Sequence, residues 1–293
     1  MNNADYIKSR RHSRMARIRS LLLGRILPTL VILAISVTML FPLYWLVRSS
    51  LMKPVELFRK PIQWWPVEMQ WQNFADVMEL RPFGRWMLNS LLLVVINVFG
   101  SILTSSMVAY ALARLKFTGQ KLIFTCIMAS MMIPGATLLI PQFLMWKFLG
   151  LIDTYVPLFI SSFAAPGLYT FMLRQFYKGI PRDIDEAATI DGANPFSIYL
   201  RLIMPMSAAP LTTVGIFTFT GVWNDFMGPL IYLTSETKYT AALGLRSFVG
   251  QFTGQWHYLL AGSMMLVLPV LILFACAQKV FIKGINLSGG LKG

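Results

Sequence analysis

The chain has 293 residues, of which 56% are hydrophobic and 13% charged, with a formal net charge of +14. Soluble globular domains carry about 25% charged residues, so a soluble enzyme is a poor fit and lipid is the expected solvent. Nucleic-acid binding is not expected either: the basic residues flank apolar runs instead of forming one recognition face, which suits attraction to anionic lipid head groups.

Seven basic residues, Lys8, Arg10, Arg11, Arg14, Arg17, Arg19 and Arg25, stand against one acid, Asp5, in a tail over 1–25. Such a tail is expected on the cytoplasmic side. A window free of Asp, Glu, Lys and Arg then runs over 26–47. It exceeds the ~7 to 15 residues of a signal-peptide core and no small-x-small cleavage pattern follows, so it is expected to stay as an anchor. The loop over 48–85 carries Trp64, Trp65, Trp71, Pro54, Pro61 and Pro66. Amphipathic aromatics suit the lipid head-group level, and a docking platform for an outer partner is the other reading.

Five further charge-free windows span 86–113, 122–146, 154–173, 202–224 and 247–278. All six are near or above the ~20 residues that cross a bilayer. Helices are expected, because open strands would leave backbone groups unpaired in hydrocarbon and the alternation of a barrel is missing. Pro28, Pro42, Pro134, Pro141, Pro157, Pro166 and Pro269 fall in or beside these windows, mostly near an end, where a missing N–H costs little. Six crossings return the carboxyl end to the cytoplasmic side and place 17 of the 26 basic residues inside. The expected fold class is therefore an all-α membrane protein with six transmembrane helices and both termini cytoplasmic. One membrane domain over 26–283 is flanked by tails at 1–25 and 284–293. Cys126 and Cys276 fall inside windows and read as small packing residues, while His12 and His257 have no ligand spacing around them. No metal site and no cofactor is expected.

The loop between the fourth and fifth windows, about 177–206, differs in kind. Pro181 ends what precedes it, and Asp183 or Asp185 is placed to cap a new helix. Asp183, Asp185 and Glu186 also sit in a first turn, where the helix dipole favours acids. Gly192 then breaks the helix and Pro195 opens the next, giving two short helices about a sharp turn. Composition alone leaves an ordinary interfacial helix pair open.

The stretch Glu186-Ala187-Ala188, then Gly192, then Leu202-Ile203-Met204-Pro205 resembles the coupling loop of the membrane subunits of ATP-binding-cassette importers. Leu202 and Met204 depart mildly from the usual isoleucine and leucine. Other stretches resemble the smaller permease subunit of the maltose-transporter type in the carbohydrate-uptake branch. They are Asn89-Ser90, Ala109-Tyr110-Ala111-Leu112-Ala113-Arg114, Gly150-Leu151-Ile152-Asp153-Thr154, Ile190-Asp191-Gly192-Ala193, Trp223-Asn224-Asp225-Phe226, Pro229-Leu230 and Lys292-Gly293. Together they cover the chain from about Leu27 to its end.

The resemblance implies an importer in a bacterial cytoplasmic (inner) membrane. Its other parts would be a second permease subunit forming a heterodimer with this one, two ATPase subunits inside and an extracytoplasmic solute-binding protein outside, all set in membrane lipid. It assigns the coupling contact to Glu186, Ala187, Ala188, Asp191, Gly192 and Pro205, and the solute route for a sugar or oligosaccharide to Trp223, Asn224 and Asp225. Small Ala187 and Ala188 would let the helix backbone sit deep in an ATPase groove, with Glu186 pairing an arginine at its rim. No catalysis is expected of this chain. It has no Gly-Lys dipeptide for a phosphate loop, and Leu287-Ser288-Gly289-Gly290, although like part of an ATPase signature, reads as a chance match.

Two other functional classes make different demands on the sequence. An ion-coupled secondary transporter would need ionisable groups within the spans, and mainly Asp225 offers one; an intramembrane enzyme would need a His/Asp or Ser/Lys constellation, which nothing assembles. Nine basic against seven acidic residues outside give no strong field for polyanions, which leans towards a neutral oligosaccharide or a glycerol-phosphate-like solute. Trp223 also fits an interfacial belt, and Asp225 an ion pair with a partner subunit.

Overall fold

The computed structural model describes residue 24, residues 26–249 and residues 254–290, with side chains to residue 278. The basic tail before residue 26, apart from Gly24, and the terminal Lys292-Gly293 lie outside the described residues. Everything described is helical or irregular; an isolated antiparallel bridge joins Val249 to Gly254.

Four helical segments are long and apolar enough to cross a membrane: Leu27–Ser50, Phe83–Arg114, Val156–Gly179 and Trp256–Gln278. Two bent pairs, Gln120–Met131 with Gly135–Phe148 and Pro195–Met206 with Ala208–Trp223, raise the number to six if each pair is one span. We label α1 (Leu27–Ser50), α2 (Gln72–Leu80), α3 (Phe83–Arg114), α4 (Gln120–Met131), α5 (Gly135–Phe148), α6 (Gly167–Gly179) and α7 (Asp183–Ile190). After them come α8 (Pro195–Ile198), α9 (Ala208–Trp223), α10 (Met227–Tyr232), α11 (Ala241–Gly244) and α12 (Trp256–Gly290).

The charge-free windows located apolar segments correctly but three of them are not straight rods. The window at 122–146 turns through 98° where Pro134 separates α4 from α5. Proline cannot donate to the preceding turn, and here it opens a new helix rather than bending an old one. The window at 202–224 starts later than expected: a 78° bend at Ser207 leaves residues 202–206 on the arm that climbs out of the preceding loop. Pro42 and Pro269, by contrast, are held within continuous helices.

The window at 154–173 is broken by a 3-10 turn at Ile160–Phe163 and by Ala165, whose φ of 51° is left-handed, ahead of Pro166. Backbone groups freed at membrane depth need partners inside the protein. Side chains of α3 supply them. Asn97 Nδ2 donates to the Leu158 carbonyl at 3.2 Å, and Ser162 Oγ donates to Asn97 Oδ1. The Thr104 hydroxyl is shared between the Gly100 and Ser162 carbonyls at 2.8 and 3.1 Å, while its oxygen accepts from the Ala165 N–H at 3.2 Å.

α3 is the central rod, with α6 and α9 packed along it, while α1 lies on α12. A cluster at each end of α3 makes the core. One joins Ala109, Tyr110 and Ala113 to Leu173, Tyr177, Ile198, Tyr199 and Ile203. The other joins Phe83 and Trp86 to Val77, Ala241, Phe248 and Ala261. α1 leaves its apolar residues exposed along the membrane-length window, as a lipid- or partner-facing helix must. Cys126 and Cys276, expected to pack internally, are free thiols on exposed faces.

Thr104→Val keeps shape but leaves the Ala165 N–H without its acceptor, a loss of about 1 to 3 kcal/mol for a buried group. The thermal unfolding midpoint of the purified protein in detergent is expected to fall for Thr104→Val and to stay near wild type for Thr104→Ser.

Candidate functional site

The segment from Ile180 to Met206 is folded onto the last turns of α3. Ile180 is extended, Pro181 blocks continuation of α6, and α7 starts at Asp183 with Arg182 before it. The acids in its first turn are Asp183, Asp185 and Glu186, as the sequence indicates, and the dipole favours them there. Neither Asp183 nor Asp185 caps the helix, contrary to expectation: no side chain accepts from its first amides. Asp185 turns back to α3 instead.

There it meets Arg114, whose side chain is 2% exposed, with Oδ2 3.1 Å from Nε. This is an ionic contact with poor N–H alignment, so Arg114 Nε and Asp185 Oδ1 make no hydrogen bond. The rest of the guanidinium is well used. Nη1 donates to the Ile180 carbonyl at 2.8 Å and Nη2 to the Pro181 carbonyl at 3.1 Å. Arg182 answers in the other direction, reaching the Ala113 and Arg114 carbonyls at 3.3 and 3.4 Å and so closing the carboxyl end of α3. Arginine suits both tasks, since its planar fork spends several donors at once.

Gly192 ends α7 with φ of 80°. Its N–H donates to the Thr189 carbonyl at 3.0 Å and the Ala193 N–H to the Ala188 carbonyl at 2.9 Å, the paired bonds of a left-handed helix stop. A Cβ at Gly192 would meet no atom within 4 Å, so glycine is required by backbone conformation alone. Asn194, not singled out from sequence, caps the next helix by accepting from the Ser197 N–H at 2.8 Å, with Pro195 at its first position. A π-helical turn at Tyr199–Ile203 carries the chain up to α9.

The loop has two faces. Inward, Ile198, Tyr199 and Ile203 are buried, and half-buried Ala188 and Ala193 pack on the same cluster. The Tyr199 hydroxyl lies 2.7 Å from Ser106 Oγ, and the Tyr110 hydroxyl donates to the Pro195 carbonyl at 3.0 Å. Outward, Glu186, Ala187, Asp191, Gly192 and Pro205 are exposed. They share that exposure with three apolar side chains the sequence reading passed over: Ile190 at 87%, Phe196 at 60% and Leu200 at 53%. Their signal was present in the sequence, as large apolar residues beside a glycine stop in a loop too polar to be a span. Ala187 and Ala188 thus divide, one outward and one onto the chain's own core.

The second group, Trp223, Asn224 and Asp225, sits at the opposite end of α9 from the loop. Trp223 is 3% exposed, stacks on Phe219 at 5.5 Å and donates through Nε1 to the Leu266 carbonyl at 3.0 Å, which ties α9 to α12. Asn224 closes α9 by donating to the Thr220 carbonyl at 2.9 Å. Asp225 is half-buried, and its Oδ1 accepts from the Gly228 N–H at 3.1 Å at the start of α10. Burial pushes its carboxyl up, and the Gly228 and Met227 amides pull it back. Among the described residues it makes no ion pair. The structure therefore brings Asn224 and Asp225 together at a corner and turns the Trp223 ring away from them.

Residues 101–286 match the family of binding-protein-dependent transport system inner membrane components. The arabinooligosaccharide transport system permease protein of Bacillus subtilis is 32% identical over 272 residues, 92% of this chain and 96% of its own length. The sulfoquinovosyl glycerol transport system permease protein of Agrobacterium fabrum is 31% identical, covering 87% and 89%. For the sn-glycerol-3-phosphate transport system permease protein of Pectobacterium atrosepticum the identity is 29%, over 84% and 90%. Among solved structures, a bacterial ABC transporter importing the acidic polysaccharide alginate superposes with a TM-score of 0.79 at 21% identity, over 90% of this chain and 98% of that one.

Arg114→Gln is expected to leave Asp185 unpaired and the Ile180 and Pro181 carbonyls short of donors. Removing one partner of a buried pair costs about 3 to 5 kcal/mol, and the lower end applies because Asp185 keeps some solvent. Limited proteolysis within 180–206 should speed up in this variant and stay slow in Asp185→Glu.

Proposed function

Since the chain belongs to the family of binding-protein-dependent transport system inner membrane components, we propose that it is a permease subunit of an ATP-driven importer for a sugar or oligosaccharide. With a second permease it forms the translocation path, and a solute-binding protein delivers the solute outside. Six crossings place both termini and the loop at 177–206 in the cytoplasm, against one of two ATPase subunits. The chain holds no ATPase chemistry of its own.

The observation that carries this reading is the two-faced build of the loop. Its inner face is bonded to α3 through Arg114, Arg182, Tyr110 and Ser106. Its outer face offers Glu186, Ala187 and Asp191 beside Ile190 and Phe196, a short helix with an acidic rim and apolar anchors that would otherwise face water. Anchors of this kind fill partner pockets, with the charged rim setting register. Closure of the ATPase pair would push the loop, and its attachment to α3 would pass the push to the spans as a rigid-body displacement. Gly192 sets the stop between the two short helices of the docking unit.

Sugars or sugar-like polyols are the solutes named for the relatives, and a corner of amide and carboxylate edges at Asn224 and Asp225 suits hydroxyl-bearing solutes. With Trp223 turned inward, the proposed solute contact is assigned to Asn224 and Asp225.

The decisive preparation is the assembled importer in proteoliposomes. Glu186→Lys is expected to lower uptake at least ~10-fold, equivalent to about 1.4 kcal/mol of docking free energy, and to uncouple ATP hydrolysis from the loaded binding protein. Normal uptake by this variant would remove the loop from the coupling role.

Gly192 gives an independent test in the same assay. Its left-handed conformation costs an L-residue about 1 to 2 kcal/mol, and a β-branched one more. Uptake should therefore fall from glycine to alanine and again to valine, without loss of membrane insertion measured by membrane fractionation.

A further inference from the structure

The end of α3 beside the 177–206 loop gathers basic side chains that the loop does not use. Arg174, on α6, is half-buried, and its Nε donates to the Leu112 carbonyl at 3.2 Å. Its guanidinium carbon sits 3.8 Å from the ring centre of Phe124 on α4, and that ring stacks on Phe171 of α6 at 6.4 Å. Gln120, the first residue of α4, donates through Nε2 to the same Leu112 carbonyl at 2.9 Å and to the Leu115 carbonyl at 3.1 Å. Exposed Lys116 follows Leu115 directly. Exposed Lys121 stands three residues before Phe124 on α4, and exposed Lys178 four after Arg174 on α6, spacings that put them on the faces of the ring and the guanidinium. Four cations from three stretches therefore meet where α4 and α6 join α3.

No Asp or Glu occurs over 81–152 or 154–182, so α3, α4, α5 and α6 bring no counter-charge to this place. Among the described residues none of the four cations makes an ion pair, and Asp185 of the loop is spent on Arg114. With Nε committed and its plane held against Phe124, Arg174 has two terminal nitrogens that donate to nothing among the described residues. A planar fork with free donors fits two oxygens of one phosphate. Beside it, Leu122 and Ile123 on α4 and Leu168 and Phe171 on α6 are exposed. The two helices close on each other at their far ends, where a Cβ at Gly167 would come within 2.6 Å of Met131. Positive charge at one end of a seam with apolar residues exposed along it matches an anionic head carrying apolar chains. A soluble polyanion would use the charge alone.

We propose that Arg174, with Lys116, Lys121 and Lys178, binds the phosphate of an anionic phospholipid in the leaflet on the side of the 177–206 loop, with its acyl chains lying along α4 and α6. Basic residues near a charged leaflet are attracted to it wherever they stand. The guanidinium makes this a site, because its fork is fixed by the Leu112 carbonyl and the Phe124 ring before any lipid arrives. The proposal needs only the membrane setting; the importer reading names the leaflet as the cytoplasmic one. Leu112 lies two residues before Arg114, so a bound lipid braces the same end of α3 that holds the loop.

The test takes the membrane complex as it purifies, in nanodiscs of equal phosphatidylglycerol and phosphatidylcholine, and counts each lipid it retains by native mass spectrometry. Wild type is expected to retain phosphatidylglycerol preferentially. Lys116→Gln and Lys121→Gln should each lower that preference about 5-fold, the effect of one basic charge beside an anionic surface. Arg174→Lys keeps the charge and loses the fork, and should lower it as well. Lys147→Gln, at an exposed lysine in the last turn of α5, should leave it within about 2-fold of wild type. Equal retention of the two lipids by wild type, or the same loss in Lys147→Gln as in Lys121→Gln, would overturn the proposal. An unchanged preference in Arg174→Lys would reduce the patch to diffuse attraction and overturn it too. So would displacement of the lipid by excess inorganic phosphate at constant ionic strength, which would assign the fork to a soluble anion. Should Arg174→Lys not assemble, the comparison of Lys116→Gln and Lys121→Gln with Lys147→Gln decides. A complex that purifies without ATPase subunits would instead sink the importer reading, and the lipid count would still be read.

Discussion

Hydrocarbon offers no water to a freed N–H or C=O, so a membrane helix that bends has to carry its replacement hydrogen bonds with it. This chain bends three of its apolar segments, and α3 is where the debt of one of them is settled. Asn97 and Thr104 point into the broken stretch ahead of α6 and satisfy carbonyls and an amide that the 3-10 turn and Pro166 set free. A continuous α3 of 32 residues, with no proline inside it, is the precondition. Had it also been kinked, its polar side chains would have no fixed register against the break.

That same helix organises both ends of the molecule by different physics. At Arg114 the attachment is a fork of donors to carbonyls plus an ionic contact, buried enough for each bond to count. At Trp86, Asn89 and Ser90 it is a row of neutral donors and acceptors against a loop, completed from a third stretch by Asp153. Both devices fasten irregular backbone to a regular rod. Irregular segments present the surfaces partners need, and the rod keeps those surfaces in register.

Much of this was legible in the sequence, and the residues show why the rest was not. Charge-free windows mark apolar segments because charge is costly in lipid, whatever the helix axis does, so they found α3 and α12 and could not see the 98° turn at Pro134. The break at Gly192 was readable because a glycine after a short helical run has one common structural meaning. Asp185 was not, since its two available uses, capping α7 or pairing with Arg114, differ only in a contact between residues far apart in the chain. The partner of Trp223 was hidden for the same reason: it is the Leu266 carbonyl, and neither composition nor spacing announces which backbone oxygen will be in reach. Asn89-Ser90 and the stretch around Asp153 stood out as family-like without a role, because the role is their common meeting with 233–241.

In the proposed coupling role, the loop would have to be stiff where it is held and adaptable where it docks. Stiffness comes from satisfied bonds in a packed setting, since close-packed interiors pass on displacement with little compression. On the inward face Tyr110, Tyr199 and Ser106 close a small polar network inside an apolar cluster, which fixes orientation more sharply than apolar contact could. Adaptability comes from leaving Ile190 exposed and one side of the Phe196 ring open, its other side resting near Tyr199. The helix stop at Gly192 separates the two requirements. Residues 191–194, with Gly192 left-handed and Asn194 capping α8, join α7 to α8, whose inner residues pack on one cluster while Ile190 and Phe196 stay exposed.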